Sequence, residues 1–137
     1  RTNELDLSLQ KVVIETYKKK SQKNTSVKTQ TAFYIRLDYS PHASRDISFN
    51  RSDIELIEVR DNSGKNYPVL SIKPDSSRLQ PGTDTILVVR AKKSPSIWDN
   101  VKSMEIVFNS GILGLKTPVS LSQKMIDFDE EDVDHLE

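Results

Sequence analysis

A chain of 137 residues, 35% hydrophobic and 29% charged, is long enough for one self-supporting core, and folding at this size buries roughly two-thirds of the surface of the unfolded chain. Twenty Lys plus Arg balance twenty Asp plus Glu, so the basic excess that a dedicated nucleic-acid binder uses to neutralise phosphates is missing. The absence of Cys excludes a disulfide framework, a zinc ribbon, a thiol nucleophile and an Fe–S site.

In chain order, the first predicted element is a strand over Leu5 to Tyr17. Leu5, Leu7 and Leu9 alternate and then give way to Val12, Val13 and Ile14, a change of parity that asks for a bulge. Ser21 to Gln30 is polar and basic and reads as a long loop. Thr31 to Tyr39 alternates cleanly, with Phe33, Ile35, Leu37 and Tyr39 on one face, and is the best-defined strand.

After the Ser40-Pro41-His42 break, Ile47 and Phe49 suggest a short extended piece. Asp53 to Arg60 reads as a strand with a bulge at Leu56-Ile57. It leads through the turn-forming Asp61-Asn62-Ser63-Gly64 into a returning strand over Tyr67 to Ile72, so a hairpin is expected. Pro74 to Gly82 reads as a loop ending in the Pro81-Gly82 turn. Thr85 to Ala91 is nearly all aliphatic and reads as a central, buried strand. Ile97 and Trp98, in the connection from Ser94 to Lys102, are expected to plug one end of the core. Met104 to Phe108 and Leu113 to Leu121 form the last expected pair of strands.

About seven short strands with regular turn signals predict an all-β, immunoglobulin-like antiparallel β-sandwich. It is expected to span residues 1–123, with residues 124–137 as an acidic, frayed C-terminal tail. The strand Phe33 to Tyr39, the strand Ile54 to Val59 leading into Asp61, Gly64 and Tyr67, and Leu79-Gln80-Pro81-Gly82 before Ile86 to Val89 come in a telling order. That order resembles the telokin-like, immunoglobulin-fold domains of bacterial secreted and lipid-anchored proteins. The resemblance covers about two-thirds of the chain and implies a secreted or cell-surface location with a binding or accessory role. The chain begins at Arg1 rather than Met, so a signal peptide or membrane anchor is expected upstream, giving peripheral contact with a membrane.

Charge is unevenly spread. No acid lies between Thr16 and Leu37, whereas Lys18, Lys19, Lys20, Lys23, Lys28 and Arg36 do, and the last eleven residues contain seven acids. The five lysines from Lys18 to Lys28 are the candidate anion-contact residues. They suit lipid head groups or an anionic polymer, or equally a solubilising loop that blunts a strand edge.

His42, Ser44 and Asp46 have the residue types of a hydrolytic triad but crowd one short loop, whereas triads converge from separate segments. The run from Asp127 to Glu131 starts like a calcium loop, yet Asp132 stands where the glycine of the turn is needed. Tyr34, Tyr39, Tyr67 and Trp98 read as core or core-capping aromatics before they read as a ligand platform. Walker, dinucleotide-binding, HExxH and GxSxG patterns are absent from the sequence, so neither a catalytic set nor a cofactor is expected. The sequence thus predicts a non-enzymatic extracellular or cell-surface binding and assembly module, whose partner is a protein or cell-envelope component. The alternative is electrostatic binding of an anionic polymer or membrane surface through the Lys18 to Lys28 loop.

Overall fold

The parity change in the first strand is resolved by a bulge at Gln10. In the computed structural model, which describes residues 4–20, 25–96 and 99–136, β1 (Leu5–Lys20) runs antiparallel to β2 (Thr25–Tyr39). Leu9 stands across from Ile35 and Lys11 across from Tyr34, leaving Gln10 unpaired. One extra residue restores the register of faces. Leu5, Leu7 and Leu9 before it and Val12 after it therefore all lie on the side of Phe33, Ile35, Leu37 and Tyr39.

β2 begins well before the expected start at Thr31. Thr25–Gln30, expected as loop, is strand paired with Glu15–Lys20; cross-strand pairing overrides its low apolar content.

Further corrections follow along the chain. β3 (Ile47–Phe49) is followed by a 3-10 turn over Arg51–Leu56, not by a strand starting at Asp53. Asn50 caps that turn: its side chain accepts from the Ser52 N–H at 3.0 Å, and the Asp53 carboxylate accepts from the Asn50 N–H at 2.9 Å, satisfying donors that an extended chain would leave to a neighbour. β4 (Ile57–Asp61) then starts where the bulge was expected.

The next strand, β5 (Val69–Lys73), does not form the expected hairpin with β4. It crosses over to pair with β7 (Asp84–Lys92), while Asn66, in the connection before it, bridges to Arg60. β6 (Ser77–Leu79) lies inside the expected Pro74 to Gly82 loop and pairs with β3. β7 buries Leu87, Val89 and Ala91 on one face only, with Ile86 42% exposed on the other. β8 (Ser103–Phe108) and β9 (Val119–Lys124) form the last antiparallel pair, with Leu113 in a 3-10 turn between them.

Composition suggests a frayed tail beyond Gln123, but Asp129–Asp132 forms an edge strand, β10, parallel to β1 with Val13 across from Asp129 and Thr16 across from Asp132. The backbone of β1 supplies the hydrogen-bond partners that composition does not reveal.

The fold is an all-β sandwich, with ten strands among the described residues. One sheet has the order β10-β1-β2-β7-β5, the second the order β4-β8-β9, and β3-β6 is a short ribbon. Phe33, Ile35, Leu37, Leu87 and Val89 from the first sheet share one core with Ile57, Val59, Met104, Ile106 and Phe108 from the second. Each of these large side chains gains about 1.5–3 kcal/mol on leaving water. The expected core plug, Ile97 and Trp98, lies outside the described residues.

Candidate functional site

Outside the core, β1 and β2 outrun their neighbours. β7 stops pairing with β2 at Gln30 across from Lys92, and β10 stops pairing with β1 at Thr16 across from Asp132. Beyond those points Tyr17–Lys20 and Thr25–Lys28 pair with each other alone. At about 3.3 Å per residue, this two-stranded arm projects about 13 Å past the sheet.

The sequence-predicted lysines sit on the arm, but not in one row. Lys19 and Lys28 occupy register positions on the outer face, the face of Glu15 and Gln30, while Lys18 faces the opposite way beside Val27. Lys20 ends β1 across from Thr25, and Lys23 lies outside the described residues. Lys18, Lys19 and Lys28 are exposed, and Val27 is 56% exposed.

Two lysines that the reading of the loop missed stand at the foot of the arm. Lys92 is across from Gln30 and therefore on the face of Lys28. Lys93 follows with φ 62, a left-handed conformation uncommon outside glycine and asparagine. Three contacts hold this bend against β2. The Ser94 N–H donates to Thr29 Oγ1 at 3.0 Å, and Thr31 Oγ1 donates to the Lys93 carbonyl at 3.3 Å and lies 2.8 Å from Ser94 Oγ. The visible signal was the Lys92-Lys93 pair closing an aliphatic strand.

Lys28, Lys92 and Lys93 line a cleft of about 420 Å³ with Thr29 and Ser94, walled by Val27, Leu70 and Leu136. Among the described residues no acidic side chain lines it. It offers ammonium groups, hydroxyl donors and an apolar wall, a combination suited to an anion carried on a larger body.

Two other charged clusters are already committed to partners within the fold. A hollow of about 580 Å³ runs past Arg60, Asp61 and Glu105. Arg60 Nε is 2.6 Å from Glu105 Oε1, and Ser120 donates to the other oxygen; the Ser120 hydroxyl and the Arg60 guanidinium hold the Glu105 carboxyl below its usual range. On the outer face of the first sheet, Arg90 grips Glu15 through Nε at 2.9 Å and Nη2 at 3.3 Å, and Gln30 donates to the same carboxylate at 2.6 Å. Glu15 is 4% exposed, so this is a buried, charge-paired cluster.

The His42 loop assembles no triad. His42 is exposed, its backbone N–H donates to Ser40 Oγ at 3.1 Å, and Asp46 pairs with Arg78 at 2.8 Å. The tyrosines occupy three separate places. Tyr39 and Tyr67 are buried and donate to the Arg45 carbonyl and the Asp61 carboxylate, while Tyr34 lies under the Lys11 ammonium at 4.6 Å. Trp98 is outside the described residues. No group of His, Cys, Asp or Glu that could hold a metal occurs among the described residues, and no helix among them is long and apolar enough to cross a membrane.

No protein-family model matches the sequence, and no curated protein matches it.

Proposed function

We propose that this domain is a non-enzymatic binding module that engages an anionic polymer or membrane surface through the β1–β2 arm and the cleft at its foot. The observation that carries this reading is the cleft lined by Lys28, Lys92 and Lys93, extended by Lys18 and Lys19 on a projecting arm. Lysines on both faces of the arm suit a partner that surrounds it, such as a polymer or a layer of head groups. Val27 at the tip-side of the cleft adds an apolar contact of the kind that sits among lipid head groups. The resemblance to telokin-like domains supports a secreted or cell-surface setting, where the partner is a protein or cell-envelope component.

The test is co-sedimentation with vesicles containing an anionic lipid and, separately, binding to heparin. Each surface-bound lysine contributes about fivefold to such binding at low salt, so the Lys28→Ala/Lys92→Ala/Lys93→Ala protein is expected to bind about a hundredfold more weakly. High salt should abolish binding by the wild type. Equal binding by both proteins to both probes would refute the reading.

A further inference from the structure

The arm has a counterpart elsewhere on the same molecule. β10 is an edge strand of the first sheet, and its four residues Asp129, Glu130, Glu131 and Asp132 are all exposed. Among the described residues none of the four carboxylates makes an ion pair, and neither do Lys18, Lys19 and Lys28. Both charge sets are therefore uncompensated among the described residues.

The backbones match as well as the charges. β10 has one open edge of four residues, and Tyr17–Lys20 and Thr25–Lys28 of the arm have edges that no other strand among the described residues covers. Open edges of this kind are templates for strand addition. A chain's own arm cannot make this contact. The open edge of β10 faces away from β1, whereas the arm is the continuation of β1 and β2. A second copy has no such restriction.

We propose that the lysine arm of one copy of this chain docks along the acidic β10 edge of a second copy. The two contacts are reciprocal about a two-fold axis, which closes the assembly as a dimer. The proposal rests on the reading of the arm as a binding element and adds a specific partner for it. Backbone pairing fixes the alignment, and the four-acid edge against the lysine edge selects the partner.

The experiment is sedimentation velocity of the whole chain at low and high salt, from micromolar to millimolar concentration. It is repeated with an arm-reversed protein (Lys18→Glu/Lys19→Glu/Lys28→Glu) and an edge-reversed protein (Asp129→Lys/Glu131→Lys/Asp132→Lys). The wild type is expected to be dimeric at low salt and monomeric at high salt. Each reversed protein alone should be monomeric, and an equimolar mixture of the two should dimerise, because every contact then joins opposite charges again. A wild type that stays monomeric at low salt overturns the proposal, with no dependence on how the variants fold. So does a reversed protein that still dimerises, or a mixture of folded reversed proteins, checked by circular dichroism, that stays monomeric. Vesicle and heparin binding separates this from the reading it rests on. Binding that persists in the edge-reversed protein without wild-type dimers sinks only the dimer, whereas dimers that form without vesicle or heparin binding sink only the anion-binding reading.

Discussion

Replacing Asp61 by Ala removes the acceptor around which the turn after β4 is built. Its carboxylate accepts from Ser63 N–H at 2.8 Å, Ser63 Oγ at 2.6 Å, Lys65 N–H at 3.2 Å and Tyr67 Oη at 2.7 Å. Ser63 and Lys65 are exposed, so their donors can turn to water at little cost. The Tyr67 hydroxyl cannot, because Tyr67 is 4% exposed. Losing a charge-assisted bond and stranding a buried hydroxyl together cost about 3 kcal/mol, which lowers the melting temperature by roughly 10 °C in a domain of this size. Tyr67→Phe removes the stranded donor and should cost about 1.5 kcal/mol by itself. The double variant is then expected to be more stable than the sum of the two singles by about 1.5 kcal/mol.

Acidity gives a second check on the same group. Burial pushes the Asp61 carboxyl up, but the hydrogen bonds from Ser63, Tyr67 and Lys65 outweigh it and hold the carboxyl below its usual range. A depressed native value means that the unfolded chain takes up the proton first, so Asp61 stabilises above its unfolded value of about 4 and ceases to do so as pH falls through the native value. The stability gap between wild type and Asp61→Asn, measured by urea unfolding, should therefore narrow in acid. A constant gap from neutral pH to acid, or additive costs in the double variant, would refute this account of the turn.

Three other measurements probe the rest of the molecule. Glu15→Ala removes the carboxylate that Arg90 and Gln30 share at a buried position and should cost about 3 kcal/mol, whereas Glu15→Leu/Arg90→Met should stay within about 2 kcal/mol of wild type by chemical denaturation. Phe33→Ala, at a fully buried position at the centre of β2, should cost about 3–5 kcal/mol and lower the urea midpoint. Gly64→Ala meets no atom within 4 Å but must keep φ near +91, so calorimetry should show a loss of about 1 kcal/mol from backbone strain alone.

What was legible in the sequence was legible because it is local. Alternation from Phe33 to Tyr39 reports a face buried against one sheet, and the parity slip before Val12 reports the Gln10 bulge; neither requires knowledge of a distant partner. Asp53–Leu56 reads as strand because Ile54 and Leu56 mimic alternation, but the Asn50 and Asp53 capping pair is the stronger local signal and closes a 3-10 turn. The hairpin expected between β4 and β5 failed for a different reason. The Asp61 to Gly64 turn chemistry is present, but β5 satisfies its backbone on β7, and long-range pairing has no signature in a turn.

The arm illustrates the same limit. Its lysines were visible, but their alternation over two faces depends on Thr25–Gln30 being strand, which the polar composition of that segment conceals. Lys92 and Lys93 join Lys28 only through the register of β2 with β7. β10 is the extreme case: a row of acids becomes a strand only because β1 offers it a free edge.

The parallel alignment of β1 and β10 also determines how the molecule carries tension. The two strands point the same way, so a pull on the chain before Leu5 and after Asp132 draws them apart lengthwise. The bonds between Val13–Thr16 and Asp129–Asp132 are then strained together in shear rather than opened one after another as in a zipper. With only four residues in register, that clamp should yield first and release β10 as a discrete step, while the antiparallel β1–β2 pairing and the shared core hold the remaining sandwich together until a higher load.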